Sequence, residues 1–271
     1  MTDGAAHRIA YAGYYDGESR PVRGVVPAEA VVTLQLNGQP LVRLMCTPTR
    51  LKDLAVGFLF NEGLIESPGD VAVVELCAGG QSVDVWLTHD VEVPEVRSIT
   101  SGCSGGATFE DLRRVEHPVR SDLLVTPERV TRLIEKLSDV SSLYRRAGGV
   151  HTAALAAMDG DGRLICAAED IGRHNTLDKI AGHCLRNGES TKDSVLLTSG
   201  RVSSEMVSKA ARMAVPVVVS RTSPTSLSLE LAEAWGLTLI GYARRRSFRV
   251  YSGAERVVVR RDGERQVCSG R

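Results

Sequence analysis

The sequence has no excess of charge of either sign, because its 33 Lys and Arg residues balance 33 Asp and Glu residues. A chain without net charge creates no overall field that attracts nucleic acid or an anionic membrane surface. It also has no run near the roughly 18 apolar residues of a membrane span, and its first residues lack the basic start and apolar core of a signal peptide. We therefore expect a cytoplasmic protein with neither a nucleic-acid partner nor a membrane partner.

Cysteine is scarce and scattered. The six cysteines are Cys46, Cys77, Cys103, Cys166, Cys184 and Cys268. Their spacing fits neither a disulfide framework nor a zinc-ligand motif, which predicts free thiols and no catalytic metal. Most of them lie in apolar segments, where a thiol packs as a small hydrophobe. Cys103 differs, since Gly102, Gly105 and Gly106 surround it and predict an exposed, flexible loop. On these local residues, a reactive thiol and a structural thiol are equally open alternatives for Cys103.

Residues 1–120 predict a smaller α+β domain that ends in the Cys103 loop. The pair Asn37-Gly38 separates two apolar segments, which is a strong signal for a β-hairpin. Because residues 1–20 show no periodicity, this hairpin is expected to be the first element of the fold. A helix with apolar residues on one face is expected next, followed by a second strand pair around a Gly-Gly turn.

Residues 121–271 predict a larger domain in which helices are layered on a sheet. Thr126, followed by a proline, is expected to begin a helix that runs through Leu143 and ends at Gly148-Gly149. Strands and helices then alternate, as is typical of layered α/β domains. The predicted fold class is therefore α/β with an α+β N-terminal part, and the domain boundary is expected within residues 120–147.

Several functional side-chain types gather where strands of the second domain are predicted to end. His151 begins one strand, residues 169–175 follow the next, and Ser199-Gly200-Arg201 form a turn before a helix. Strand ends of α/β layers bind ligands, and a helix N-terminus suits an anion. The alternative is structural, with Asp170 capping the following helix and His174 as an ordinary early helix residue. The pocket candidates are His151, Arg173, His174 and Arg201.

A basic cluster follows the last predicted strand of this alternation, which ends at Tyr242-Ala243. Arg244, Arg245 and Arg246 stand there beside an aromatic residue, and guanidinium groups bind phosphates through paired hydrogen bonds. If the strand geometry continues, Arg244 and Arg246 share one face and Arg245 points away. The alternative is a solvated basic turn in which all three are dispensable.

Taken together, these segments resemble the FdhD/NarQ family of formate dehydrogenase accessory sulfurtransferases over about residues 27–251. The matching stretches are LMCTPTRLKDLAVGFLFNEGLI, the Gly102-Cys103 loop, GGVHTAAL, EDIGRHNTLDK, SGRVSSEMVSKAA, SPTSLSLELAE and GLTLIGYARRRSFRVY. Because seven segments match in the same order, chance similarity is implausible.

The resemblance implies a carrier that holds sulfur as a persulfide on Cys103. It implies that a cysteine desulfurase donates this sulfur and that the acceptor is the molybdenum bis(molybdopterin guanine dinucleotide) cofactor of a formate dehydrogenase. The bound cofactor is implied to contact Tyr242, Ala243, Arg244, Arg245, Arg246 and Ser247. The resemblance also implies a homodimer and a larger domain similar to the cytidine deaminase fold.

The sequence departs from the family in one place and speaks against a rival enzyme class. Many members carry C-x-x-C in the catalytic loop, but residues 103–106 read CSGG and hold no second thiol; transfer of a terminal sulfur needs only one. Zinc deaminases require H-x-E and P-C-x-x-C, whereas His151-Thr152-Ala153 has Ala in the place of Glu and P-C-x-x-C does not occur. A chaperone that binds the cofactor without moving sulfur is the alternative function.

Overall fold

The computed structural model of the protein describes residues 4–77, 79–91, 98–99, 107–108, 118–261 and 264–267. Its strands are β1 (Ala6–Tyr15), β2 (Glu18–Pro27), β3 (Ala30–Leu36), β4 (Gln39–Cys46), β5 (Val71–Leu76), β6 (Ser82–Leu87), β7 (Ser98–Ile99), β8 (Ala107–Thr108), β9 (His151–Ala157), β10 (Leu164–Asp170), β11 (Ser194–Thr198), β12 (Val217–Ser220), β13 (Thr238–Gly241), β14 (Arg249–Ser252), β15 (Val258–Arg261) and β16 (Glu264–Val267). Its helices are α1 (Leu51–Asn61), α2 (Pro127–Val140), α3 (Ser142–Ala147), α4 (Arg173–Asn187), α5 (Ser204–Arg212) and α6 (Ser226–Trp235). Over these ranges, every helix is too short or too polar to cross a membrane.

A four-stranded sheet in the order β4-β3-β6-β5 forms in the first part of the chain. β3 and β4 pair antiparallel across Asn37 and Gly38, whose φ angles of 50° and 78° suit the tight turn that an Asn-Gly pair predicts. β5 and β6 are antiparallel as well. α1 packs on the sheet and buries Leu54, Phe58 and Leu59 in a shared core. Both predicted hairpins and the helix between them are confirmed.

The Asn37-Gly38 hairpin is not the first element, so that prediction is wrong. β1 and β2 form an earlier antiparallel ribbon, in which Ala6 pairs with Pro27 and Tyr15 with Glu18. Most side chains on both faces of this ribbon are exposed. A strand that buries neither face needs no alternation of apolar and polar residues, so periodicity could not reveal it.

The helix predicted to begin after Thr126 is present, and the Thr126 hydroxyl accepts a hydrogen bond from the first turn as an N-cap does. It was expected to continue through Leu143 but ends before Ser141, and α3 begins after that residue. The Ser141 hydroxyl donates to the Leu137 carbonyl at 2.7 Å, a local bond that competes with helix continuation. Gly148, with φ 65°, ends α3 as predicted.

A six-stranded sheet in the order β10-β9-β11-β12-β13-β14 forms in the second part of the chain. β11, β12 and β13 run parallel, whereas β9, β10 and β14 pair antiparallel with their neighbours. Residues such as Val130 and Leu133 pack α2 on one face, and Leu177 and Met206 help to pack α4 and α5 on the other. The α/β class is therefore confirmed. The division after residue 120 and the likeness to the cytidine deaminase fold stay predictions.

A close contact between α1 and α4 joins the two sheets. A Cβ on Gly57 would lie 1.8 Å from the Asp178 carbonyl oxygen, and a Cβ on Gly182 would lie 1.9 Å from the Asp53 carbonyl oxygen. Only glycine allows the two backbones to approach so closely. This approach brings the end of β4 next to the turn that begins α4, where several of the candidate residues lie.

Candidate functional site at one edge of the larger sheet

The topology brings the ends of five strands to one edge of the six-stranded sheet. β9 is antiparallel to β10 and β11, so its first residue, His151, lies beside Asp170, the last residue of β10. The Ser199 N–H donates to the Thr152 carbonyl at 2.9 Å and holds the turn after β11 next to them. β12 and β13 are parallel to β11 and end at the same edge. We call this edge the site edge and define it as residues 151, 169–175, 199–203, 220–224 and 242–247.

Gly200 lies at the centre of the site edge. A Cβ at this position would come within 3.2 Å of both the Arg173 Cβ and the His151 Nδ1. A side chain at residue 200 would therefore push these two candidates apart. The Ser220 hydroxyl donates to the Gly200 carbonyl at 2.7 Å, which links the turn to the end of β12. The structure thus brings His151, Arg173 and the turn that precedes Arg201 together.

The site edge carries positive charge from arginine but not from its histidines. Arg173 is buried and Arg201 is exposed. Burial lowers the pKa of His151, the Arg173 guanidinium lowers it further, and the Asp170 carboxylate opposes both effects. His151 is therefore a neutral imidazole at pH 7. A guanidinium beside a neutral hydrogen-bonding ring suits an anion such as a phosphate.

His174 is held inside the protein by two polar neighbours. Its Nε2 lies 3.0 Å from the Ser203 hydroxyl and its Nδ1 lies 3.3 Å from a Glu205 carboxylate oxygen. Burial lowers the pKa of His174 to about 2, and the cations of Lys209 and Arg173 add to this effect. The ring is therefore neutral, with the Nδ1–H donating to Glu205 and the Ser203 O–H donating to Nε2. Both ring nitrogens are occupied, so His174 serves to hold the edge rather than to meet a ligand.

A buried ion pair fixes the turn that carries Arg173 and His174. The Asp170 carboxylate and the Lys179 ammonium are fully buried and 2.6 Å apart. Asp170 accepts a second hydrogen bond from the Gly172 N–H at 2.8 Å, at the start of α4. Both side chains also bond to Thr47, which directly follows β4. Asp170 accepts from the Thr47 N–H at 3.1 Å, and Lys179 donates to the Thr47 carbonyl at 2.9 Å.

Sequence reasoning missed Lys179, the main partner of Asp170. The interpretation of Asp170 as a helix cap captured only its bond at the start of α4. A signal was present, because Lys179 shares its helix face with Thr176 and Gly182, and small residues on one face indicate close packing. A lysine on such a face needs a buried partner.

The turn at 242–247 does not continue the strand. β13 ends at Gly241, and Tyr242 has a φ of 51°, in the left-handed region. The Arg244 N–H then donates to the Ser247 carbonyl at 2.8 Å, which closes a turn. The expectation that Arg244 and Arg246 share a face through strand alternation is therefore wrong, because alternation requires extended backbone.

The three arginines of this turn have different surroundings. Arg244 donates from its side chain to the carbonyl oxygens of Arg221 and Ala243. The Arg245 Nε lies 3.1 Å from a carboxylate oxygen of Glu135 on α2. Arg246 is exposed, as are Tyr242 and Ser247, whereas Ala243 is buried. Two of the three guanidinium groups thus have protein partners, and all three reach solvent.

Cys103, the predicted sulfur carrier, lies outside the described residues. Four other cysteines are described, all as free thiols. Burial raises the pKa of Cys46 to about 12. A hydrogen bond with Cys166 and burial raise the pKa of Cys184 as well. Cys77 and Cys166 are half-buried. Neither Cys46 nor Cys184 therefore supplies a thiolate at neutral pH.

Within the described part of the chain, no group of three or more His, Cys, Asp or Glu side chains could hold a metal ion. His151 has no acidic neighbour at the position of the deaminase glutamate, because Ala153 is a fully buried residue of β9. The arrangement at the site edge therefore provides hydrogen-bond donors and positive charge for an anion.

Comparisons with known proteins agree with this arrangement of elements. Relatives named sulfur carrier protein FdhD align with most of the chain. The one from Listeria innocua is 36% identical and covers 89% of this chain and 94% of its own length. The one from Bacillus subtilis is 36% identical, with 90% and 94% covered. The one from Geobacillus kaustophilus is 34% identical, with 96% and 100% covered.

A solved structure has the same fold. It is the crystal structure of a protein from Desulfotalea psychrophila described as a proposed formate dehydrogenase accessory protein. It has a TM-score of 0.81 and 27% identity, and the alignment covers 93% of this chain and 99% of that one. The sequence profile of the FdhD/NarQ family matches residues 27–258. The chain therefore belongs to the FdhD/NarQ family.

Proposed function

We propose that this protein is a sulfurtransferase that receives a persulfide sulfur from a cysteine desulfurase and passes it to the molybdenum bis(molybdopterin guanine dinucleotide) cofactor required by a formate dehydrogenase. The observation that carries the proposal is the alignment with relatives named sulfur carrier protein FdhD over 89% to 96% of the chain. The description of the similar crystal structure supports formate dehydrogenase as the enzyme that is served. The cofactor is the substrate of this reaction.

Cys103 is the sulfur-carrying residue in this proposal. Its thiolate attacks the terminal sulfur of the desulfurase persulfide, so that a new S–S bond forms while the old one breaks and the donor cysteine leaves as a thiolate. In the second transfer the S–S bond of the Cys103 persulfide breaks, the terminal sulfur bonds to the molybdenum of the cofactor, which supplies the two electrons that reduce this sulfur, and the Cys103 thiolate is released. The raised pKa values of Cys46 and Cys184 make them unsuitable for either step.

Three features of the site edge support the proposal that the nucleotide portion of the cofactor binds there. Arg201, Arg244 and Arg246 are exposed there, and the turn that carries Arg201 precedes the N-terminus of α5. Guanidinium groups and a helix N-terminus both favour phosphate. We therefore propose that residues 242–247 form one wall of a guanine nucleotide site and that Arg173 and Arg201 contribute positive charge near it.

Mass spectrometry tests the sulfur-carrying role. The protein is incubated with a cysteine desulfurase and L-cysteine, and its peptides are mapped for the added mass of one sulfur atom. We expect that mass on the peptide containing Cys103 and its loss in Cys103→Ala. Cys77→Ala is the matched control, because Cys77 is a half-buried thiol outside the proposed mechanism, and it should leave the labelling unchanged. Equal labelling of the Cys103→Ala protein would contradict the proposal.

The same residue separates sulfur transfer from simple carriage of the cofactor. A Cys103→Ser variant should bind GDP as the wild type does but fail to support formate dehydrogenase maturation. If this variant supports full maturation, a non-catalytic chaperone explains the function better. We further propose a cytoplasmic homodimer, whose oligomeric state sedimentation analysis would test.

A further inference from the structure

Cys166 and Cys184 form a pair of thiols that the proposed sulfur transfer does not use. Their Sγ atoms lie 4.0 Å apart, close to van der Waals contact. Cys166 belongs to β10 and Cys184 to α4, so the two sulfurs join the strand and the helix on either side of the turn 171–172. That turn leads directly into Arg173 and His174 of the site edge.

The local backbone directs Cys166 towards Cys184. In the pairing of β10 with β9, the register shifts between Leu164 and Cys166, so Ile165 is an extra residue in β10. Such a bulge re-aims the side chain that follows it. Cys166 packs against the core that contains Cys184, yet it lies on an edge strand of the sheet and is half-buried rather than buried.

We propose that Cys166 and Cys184 are a reversible redox pair, and that a hydroperoxide converts them into a disulfide that locks β10 to α4. A disulfide needs the sulfurs to approach to about 2.05 Å, so the present distance of 4.0 Å must shorten by rotation about the side-chain bonds or a small shift of β10 against α4. The pair is unrelated to Cys103, so this inference stands or falls independently of the proposed function.

The two thiols have unequal roles in this chemistry. With hydrogen peroxide as the oxidant, the Cys166 thiolate attacks one peroxide oxygen, becomes a sulfenic acid and releases hydroxide, which takes up the proton that the Cys166 thiol lost and gives water. The Cys184 sulfur then attacks the Cys166 sulfur, forming the S–S bond and releasing a second water. Two thiols are oxidised to one disulfide, and one hydroperoxide supplies the oxidant. The hydrogen bond between the two thiols lowers the pKa of Cys166 and raises that of Cys184, and burial raises the pKa of Cys184 further, in keeping with this order.

The disulfide would restrain the site edge because the loop that it closes contains several residues of that edge. It would bridge residues 166 and 184, and the loop between them contains the Asp170 turn, Arg173 and His174. Cross-linking the strand to the helix restricts separation of the two elements that carry this loop. We therefore expect the oxidised protein to open less readily at residues 171–175.

Peptide mapping of the full-length protein tests the pair without any substitution. The reduced protein is treated with hydrogen peroxide, its free thiols are alkylated, and tryptic peptides are analysed. Cleavage after Arg163, Arg173, Lys179 and Arg186 separates the two cysteines into peptides 164–173 and 180–186. We expect these peptides linked, with a mass loss of two hydrogen atoms, and separated again after dithiothreitol. Two free alkylated thiols, irreversible oxidation of Cys166, or a link to another cysteine would overturn the proposal.

Two substitutions and one measurement on the backbone complete the test. Cys184→Ser should leave a sulfenic acid on Cys166 that dimedone traps, whereas Cys77→Ser, the matched control, should keep the 166–184 link. Amide hydrogen exchange at residues 171–175 should slow in the oxidised wild type and recover on reduction. If the link forms and this exchange does not change, control of the site edge by the pair is disproved.

Discussion

Two charge-rich segments of this chain use their charges in opposite ways. Residues 169–179 place Asp170 and Lys179 in the interior, where both side chains are 0% exposed and pair at 2.6 Å. Residues 244–246 remain at the surface, and the Arg245 side chain is 84% exposed even while it contacts Glu135. The first segment builds the site edge, whereas the second keeps its charge at the surface.

The difference arises from the packing around each segment. The glycine contacts between α1 and α4 bring two backbones together, and Asp170 and Lys179 lie fully buried and bonded to Thr47. A charge enclosed in this way must find a partner. The arginine turn instead follows the end of β13 and reaches solvent. The number of charged residues in a segment therefore does not reveal its role, but the packing of its neighbours does.

Removing the ammonium of Lys179 should have the largest effect on stability. A Lys179→Met substitution leaves the Asp170 carboxylate buried without its counter-ion, and we expect a loss of about 3–5 kcal/mol in the free energy of unfolding. The matched control is Arg132→Met, since Arg132 and Asp161 pair at 2.8 Å with side chains 50% and 75% exposed, and it should cost about 0–1 kcal/mol. Urea titration measures both. Equal costs would refute the distinction between the two segments.

A side chain added at the contact between α1 and α4 should have the second-largest effect on stability. The Cβ added by Gly57→Ala would lie 1.8 Å from the Asp178 carbonyl oxygen and 2.6 Å from the Gly182 nitrogen, so backbone atoms must move. We expect a loss of about 3 kcal/mol, at the upper end for overpacking. Gly69→Ala is the control, because its added Cβ would lie 3.5 Å from the Ser67 hydroxyl, an ordinary van der Waals contact, and it should be nearly neutral. A neutral Gly57→Ala would show that the helices tolerate separation.

Substitutions in the arginine turn, residues 244–246, should change the affinity for a nucleotide rather than the stability of the fold. GDP represents half of the proposed cofactor, and its affinity is measured by calorimetric titration. The double variant Arg244→Ala with Arg246→Ala removes a phosphate contact. It should lose about 1.5–3 kcal/mol of GDP binding free energy, roughly a tenfold or greater weakening of affinity. Arg245→Ala should weaken binding less, because Arg245 contacts Glu135 at 3.1 Å. If the double variant binds GDP like the wild type, residues 242–247 are not part of the nucleotide site.

The same comparison shows what sequence can predict here. The Asn37-Gly38 hairpin, α1 and the alternation of strands with helices all followed from local periodicity and turn residues. The buried pair of Asp170 and Lys179 did not, because it depends on a third segment, at Thr47, that is distant in the sequence. The shape of the arginine turn was missed for another reason. Tyr242 adopts a left-handed φ of 51°, which tyrosine rarely does and which ends the alternation.

The buried ring of His174 allows the segment at residues 169–179 to be tested through the pH dependence of stability. In the folded protein its pKa is lowered from 6.5 to about 2, so between these values the unfolded chain binds a proton that the folded protein does not. Stability therefore falls as pH decreases below 6.5, and this contribution is fully present above that pH. We expect His174 to account for a loss of about 1 kcal/mol between roughly pH 6.5 and 5.5.

The substitution His174→Gln should remove this part of the slope, although it also lowers stability at pH 7.5 by disturbing the contacts with Ser203 and Glu205. His151, whose pKa is lowered as well, contributes to the slope with the same sign and remains in the variant. The measured quantity is therefore the difference in slope between the wild type and His174→Gln in urea titrations. His7→Gln is the matched control, because His7 is exposed, and it measures how much replacing a surface histidine alone changes the slope. An unchanged slope in His174→Gln would mean that the ring accepts a proton in the folded state as it does in the unfolded chain, so His174 would group with the solvated arginines and not with the buried pair.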